Sequence, residues 1–374
     1  MFDLVLKGGR VIDPAADRDE VADVAFANGL VAAVGNDLGP AKETRKVDGR
    51  MVVPGLIDLH THVYWGGTSL GVDADLYAKP CGITTLVDAG SAGPGNFPGF
   101  RRHVIERVEV RILPFLHISF PGIFGVSKWF SYGESSDLMM LDPRAFLDVA
   151  REHSDLIVGT KVRIGKVGSG SVGAGALAIA LEAAEHADLP LMVHLDRPPP
   201  HRSEVMPRMR RGDIWTHCFR AFPNAPLTYS GEIQDDIIAA RERGVIFDIG
   251  HGRGSFGFAT ARKMLGHGFL PDVLSSDVHV MSINGPAYNL LVTMSKFLAL
   301  GFPLTEIIRT CTINAARAVR REDRGTLRPG LLGDATVLDI ETGHFSFVDA
   351  PGEKIKADRQ FTCHGAVLGG RWWH

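Results

Sequence analysis

Two histidines stand one residue apart at the end of a short apolar run, in Val53-Pro-Gly-Leu-Ile-Asp-Leu-His-Thr-His-Val63. The run Leu56 to Leu59 follows a Pro-Gly pair and reads as a buried strand more readily than a helix. Alternate side chains of a strand share a face, so His60 and His62 point the same way, about 7 Å apart along the backbone. Such a pair can converge on one metal ion. A hydrogen-bonded surface pair is the other meaning of the same pattern.

Further polar residues recur where other apolar runs end: Lys161 in "GTKVR", His194 in "MVHLD", His217 in "WTHC" and Asp277 in "SSDVH". Singly, each has a plain structural meaning, as a packed histidine or a cap. Together they make a donor set. Imidazole and carboxylate are good ligands for zinc and similar divalent ions, and two such ions about 3.5–4 Å apart can share a bridging hydroxide. His60, His62 and Asp277 can hold one ion, with His194 and His217 on the other. Lys161 is the odd member, because an ammonium would repel both. Burial beside cations favours the neutral amine, which can add carbon dioxide and become a carbamate with two bridging oxygens.

These residues lie far apart in the chain, so a fold must gather them. Strand-like runs alternate with helix-like segments: "GLIDLH", "ITTLVDAG", "RILPFLHIS", "LIVGTKVRI", "LPLMVHLD", "DIWTHC", "GVIFDIG" and "DVLSSDV". Helices are expected after Asp142-Pro143 in "RAFLDVAREHS", in "GALAIALEAAEHA", and in "QDDIIAARERG" closed by Gly244. The alternation predicts an α/β fold, a (β/α)8 TIM barrel over residues 54–322, whose strand C-termini meet at one face. Residues 1–53 read as short strands, and 323–374 repeat that texture in "GDATVLDI" and "CHGAVLGGRWW", so both ends are expected to form one small β-sandwich.

The bulk composition agrees with a globular chain of 374 residues, 45% hydrophobic and 22% charged. Forty Lys and Arg against 43 Asp and Glu give a net charge of −3, which suggests neither a nucleic-acid nor an anionic-membrane partner. The opening "MFDLVLKGGRVID" lacks the apolar core of a signal peptide, and no uninterrupted apolar stretch is long enough to span a bilayer. Cys81, Cys218, Cys311 and Cys363 are scattered without a Cys-x-x-Cys pair, so reduced thiols and a cytoplasmic location are expected.

The motifs "PGLIDLHTH", "GTKVR", "MVHLD", "WTHC" and "SSDVH", with the C-terminal "NAARAV" and "GTLRPGLLGDATVLD", resemble the amidohydrolase superfamily over nearly the whole chain. The resemblance is to its dihydroorotase-like and deacetylase-like branch. It implies two metals held by His60, His62, carboxylated Lys161, His194, His217 and Asp277. Some D-aminoacylases of the superfamily place a cysteine ligand after the second strand. This chain has "TTLVDAGSAG" there, and Cys81 precedes the strand, which favours the lysine bridge.

The resemblance also implies hydrolysis: metals lower the pKa of the bridging water, and Asp277 takes the proton and delivers it to the leaving group. No Gly-x-Ser-x-Gly nucleophile elbow competes. Arg163, two residues beyond Lys161 on the same strand face, is a candidate partner for a substrate carboxylate or for a site carboxylate. "VIFDIGHGRGSFGF" fits a dinucleotide fingerprint by letter but falls at the seventh strand rather than in an opening Rossmann unit. There Gly254 and Ser255 are expected to start a helix that, with His251, contacts an anionic part of the substrate; a tight glycine turn with solvated Arg253 is the alternative.

The glycine- and aromatic-rich insertion "FPGIFGVSKWFSYGESSDLMMLDP" suggests a lid with Tyr132 as a substrate contact, or else packing of Trp129 and Phe130 on the barrel rim; His117 is a packed histidine or a support behind the site. The expected substrate is a small molecule with an acetyl ester or amide beside a carboxylate, such as an acetylated α-hydroxy acid (acetyl-(R)-mandelate is the family's example) or an N-acyl-D-amino acid. Cyclic amides are the first rival, and a non-catalytic scaffold the second. A homo-oligomer is a family expectation.

Overall fold

Alternation of apolar and polar residues makes the start of the chain a set of strands, Phe2–Asp13, Arg18–Ala27, Leu30–Gly35, Ala41–Lys46 and Met51–Pro54. In the computed structural model, which describes residues 1–127 and 129–373, Asn28 and Gly29 join the second and third of these. Both take positive φ, 54° and 78°, the backbone that a two-residue hairpin needs and that Asn-Gly adopts most readily. The end of the chain returns as Ala335–Val348, Lys354–Leu368 and Arg371–Trp372. Ala335–Val348 pairs antiparallel with Met51–Pro54, matching Thr336 to Val53 and Val337 to Val52. The two ends thus form one eight-stranded sheet. Leu4, Leu6, Val24 and Val52 share a core there with Val337 and Val367.

Between the ends, seven parallel strands follow one another in chain order: Leu56–Thr61, Ile83–Ala89, Arg111–His117, Gly159–Ile164, Leu191–Leu195, Ile214–Thr216 and Ile246–Asp248. They read as unbroken apolar runs because helices cover the outside and side chains fill the inside, so neither face meets water. The expected helices form at Pro143–Glu152, Gly175–His186 and Asp235–Arg243. Asp142 caps the first, accepting from Arg144 N and Ala145 N at 3.0 Å. Gly244 ends the third at φ 88°.

The eighth segment, "DVLSSDV", closes the ring by single parallel bridges, from Val273 to Asp248 and from Val278 to Thr61. It departs from regular strand geometry for a local reason. Ser275 Oγ donates to Asp248 at 2.5 Å and Ser276 N to Asp58 at 2.9 Å. Asp277 has φ 47°, which no strand residue adopts. Hydroxyls and buried carboxylates thus replace part of the ladder where the barrel is sealed. All four cysteines are free thiols, and no helix among the described residues is long and apolar enough to cross a membrane.

Candidate metal centre

The strand ends bring the predicted donors together. His60 Nε2 and His62 Nε2 each lie 3.4 Å from Asp277 Oδ1, and the ligand atoms of these three residues fall within 4.8 Å of one another. His194 Nδ1 and His217 Nε2 are 2.7 Å apart. The His217 and His60 rings are 5.2 Å apart, which joins the two groups. Lys161, His194 and Asp277 line one cavity of about 110 Å³ with His60, His62 and Arg163.

The neighbours of each imidazole decide which nitrogen carries the hydrogen. Thr216 Oγ1 donates to Asp248 at 2.7 Å, so its oxygen accepts from His60 Nδ1 at 2.8 Å, leaving His60 Nε2 bare toward Asp277. Ser91 repeats the arrangement: it donates to Asp88 at 2.8 Å and sits 2.9 Å from His62 Nδ1. His217 Nδ1 donates to the Gly250 carbonyl at 2.7 Å. His60 and His62 are thereby fixed with a lone pair facing the cavity, as metal-ligating histidines are held by their outer partners, while His217 Nε2 is turned toward His194.

Burial keeps these lone pairs free of protons. It pushes His62 down to about 4 and holds His60, His194 and His217 well below the usual imidazole range. Lys161 is buried, and its Nζ donates to Met192 Sδ at 3.1 Å. Burial is the main force bringing its amine down to about 7; Asp277 opposes it and Arg163 assists. A weakly solvated, partly neutral amine among bare imidazoles fits both a divalent-ion centre and carbamate formation on lysine.

The backbone is bent to reach this geometry. His217 and Asp277 take φ of 66° and 47°, costly for residues with a Cβ and sustained only where surroundings hold them. Gly250 and Gly252 supply the room: a Cβ on the first would fall 2.8 Å from His217 Nδ1, and one on the second 2.2 Å from Asp277 Oδ2. A Cβ on Gly90, after the second strand, would likewise fall 2.6 Å from the Lys161 side chain.

Arg163 lines the cavity as expected, and its guanidinium meets Glu134 at 3.1 Å. Glu134 was not anticipated. It comes from the insertion after the third strand, is buried, and faces His117 Nε2 at 3.5 Å. Burial alone would raise its carboxyl, but Arg163 and His117 hold it below the usual range. The insertion does cover the site, through Ile123 and Val126 rather than Tyr132, which is not among the lining residues. Lys128 of that segment lies outside the described residues. His279, two residues past Asp277, also lines the cavity, and burial brings it to about 4.

The expectation for the segment after the seventh strand is corrected. Its helix begins at Phe258, capped by Gly257, so Gly254 and Ser255 present no helix N-terminus; Gly254 is exposed on a turn. His251 is buried with both ring nitrogens engaged, by Gly252 O at 3.0 Å and Lys296 Nζ at 2.7 Å. The letters alone did not reveal that a lysine 45 residues onward claims this ring.

Residues 51–372 match the amidohydrolase family pattern. The chain belongs to the amidohydrolase family. This amidohydrolase is 33% identical over 344 residues to a deacetylase of Agrobacterium fabrum, covering 91% of this chain and 84% of that one. Its structure is similar to that of an adenine deaminase, with a TM-score of 0.93, 30% identity and full coverage of both chains. It is also similar to a dihydroorotase, with a TM-score of 0.91 and 32% identity over 100% of this chain and 99% of that one.

Proposed function

We propose that this amidohydrolase cleaves an acetyl ester or amide beside a carboxylate, on substrates such as acetylated α-hydroxy acids or N-acyl-D-amino acids. One observation carries the reading: Arg163 shares a cavity of about 110 Å³ with the six-residue donor set's His60, His62, Lys161, His194 and Asp277. A fixed cation therefore stands beside the place where a carbonyl would be attacked. The deacetylase name of the Agrobacterium relative points the same way.

His60, His62 and Asp277 would hold one divalent ion and His194 and His217 a second, with Lys161 as a carbamate between them; zinc suits this donor set. Such ions supply an activated hydroxide and a Lewis acid for the scissile carbonyl. The rest falls to the chain. Arg163 donates to the substrate carboxylate through its planar fork and sets which bond is presented. Ile123, Val126 and Leu70 wall the cavity and keep bulk water from the reacting group. Asp277, whose carboxylate faces His60 and His62 at 3.4 Å, would take the proton from the nucleophile and return it to the departing oxygen or nitrogen.

The test is a panel of acetylated α-hydroxy acids, N-acetyl-D-amino acids and cyclic imides, assayed with metal content measured on the same samples. Turnover in the first two sets is expected. Turnover of cyclic imides alone would assign the site to ring opening and reject the acyl-cleavage reading.

A further inference from the structure

Lys296 is fully buried yet serves none of the chemistry above. It lies on the helix Leu290–Ala299, and its Nζ meets three acceptors: His251 Nε2 at 2.7 Å, Pro286 O at 2.7 Å and Val348 O at 2.8 Å. The last belongs to the hairpin formed by the end of the chain. That hairpin grips the same loop twice more, through Ala350 N to Phe256 O at 3.0 Å and Phe258 N to Asp349 Oδ2 at 2.8 Å.

His251 transmits the hold. Its Nδ1 donates to Gly252 O, so its Nε2 is the acceptor for Lys296. The backbone on either side touches both halves of the donor set. Gly250 O receives His217 Nδ1 at 2.7 Å, and Gly252 N donates to Ser276 O at 2.9 Å, next to Asp277. Gly252 also packs so closely on the Asp277 carboxylate that it has no room for a Cβ. A shift of the His251 ring therefore moves the carbonyl that orients His217 and the wall that confines Asp277.

We propose that Lys296 is a positioning residue of the metal centre, acting through His251 on His217 and Asp277 and anchored by the hairpin from the chain's end. The proposal rests on the metal-centre reading given above.

The test compares native protein, Lys296→Met, His251→Phe and the double variant, each loaded with cobalt(II). Lys296→Met should lower kcat by about 10- to 100-fold, the usual effect of removing an outer partner of a metal site, with KM within about twofold of native. Its cobalt d–d absorption should shift, since ligand geometry changes. The double variant should lose no more than the worse single, because both act along one path. Should Lys296→Met fail to fold, Asp349→Ala, which loosens the same hairpin, should show the kcat loss and the shifted bands.

Near-native kcat, unshifted bands, or losses that multiply in the double variant would each overturn the proposal. Native protein that takes up no cobalt would sink the metal-centre reading itself. Native uptake and turnover with an indifferent Lys296→Met would sink the positioning role alone.

Discussion

Gly252 lies against Asp277 so tightly that a Cβ on it would stand 2.2 Å from Asp277 Oδ2, at a φ of 53°. Gly252→Ala must displace the carboxylate or the turn, and an error of this size at a reacting group costs about 100-fold in rate. Gly266→Ala, at the end of the next helix with nothing within 4 Å, should leave kcat near native. Equal behaviour of the two variants would refute the close-packing argument.

Asp277 is proposed to move the proton. Asp277→Asn keeps the shape and removes the base, so kcat should fall by roughly 10²- to 10⁴-fold. Steady-state kinetics on the preferred substrate measure this, and undiminished turnover would exclude the role.

Lys161 is expected to act as a carbamate. Chelation should abolish activity, and restoring zinc with bicarbonate should recover it. Lys161→Ala should lose the second metal, with partial recovery on adding short carboxylic acids that occupy the vacated bridge. Metal counting shows the loss directly; two ions retained in Lys161→Ala would contradict it.

Arg163, half-buried, and the buried Glu134 make an ion pair at the cavity wall. Arg163→Met should raise KM for carboxylate-bearing substrates far more than for their neutral amides, by about 10- to 100-fold for a charge-assisted bond of ~1.5–3 kcal/mol. Glu134→Gln should raise KM less, since the guanidinium remains but loses its fixed partner. Identical KM changes for charged and neutral substrates would show that Arg163 only packs.

His279 predicts a pH effect on metal-free protein. Its folded pKa is lowered to about 4 by burial, below the unfolded value near 6.5. The unfolded chain therefore binds its proton first. The stability this neutral ring contributes is complete above about 6.5 and is lost as pH falls through about 4, on the order of 1 kcal/mol per pH unit between. His279→Asn should flatten the fall of the urea midpoint over that window relative to native. Parallel profiles would remove His279 as a source.

How far the sequence discloses this site depends on where each residue stands. His60, Lys161, His194 and the others fall in or at the ends of apolar runs, so strand periodicity within a barrel predicts one rim; five of the six line one cavity, and His217 lies against His194. The residues that orient them do not announce themselves. Ser91 and Thr216 are ordinary hydroxyl residues until their partners Asp88 and Asp248 are seen beside them. Glu134 comes from a segment without periodicity, and its partner Arg163 is 29 residues away. His251 is expected from the sequence to contact substrate beside a helix start at Gly254 and Ser255, whereas its neighbours Gly250 and Gly252 make room for His217 and Asp277. The eighth strand was visible as an apolar run, but its side-chain fastening depended on Asp58, which pairs with Ser276 across 218 residues.

That fastening bears on how such a molecule can be altered. The carboxylate of Asp277 rides on a joint of the barrel that is pegged rather than interleaved, between the bridges at Val273 and Val278. Ser275 and Ser276 fasten the segment to Asp248 and Asp58, so residues past the second bridge lie outside that fastening. A library confined to the stretch beyond Val278 could thus change what the enzyme accepts while the remaining staves stay in place.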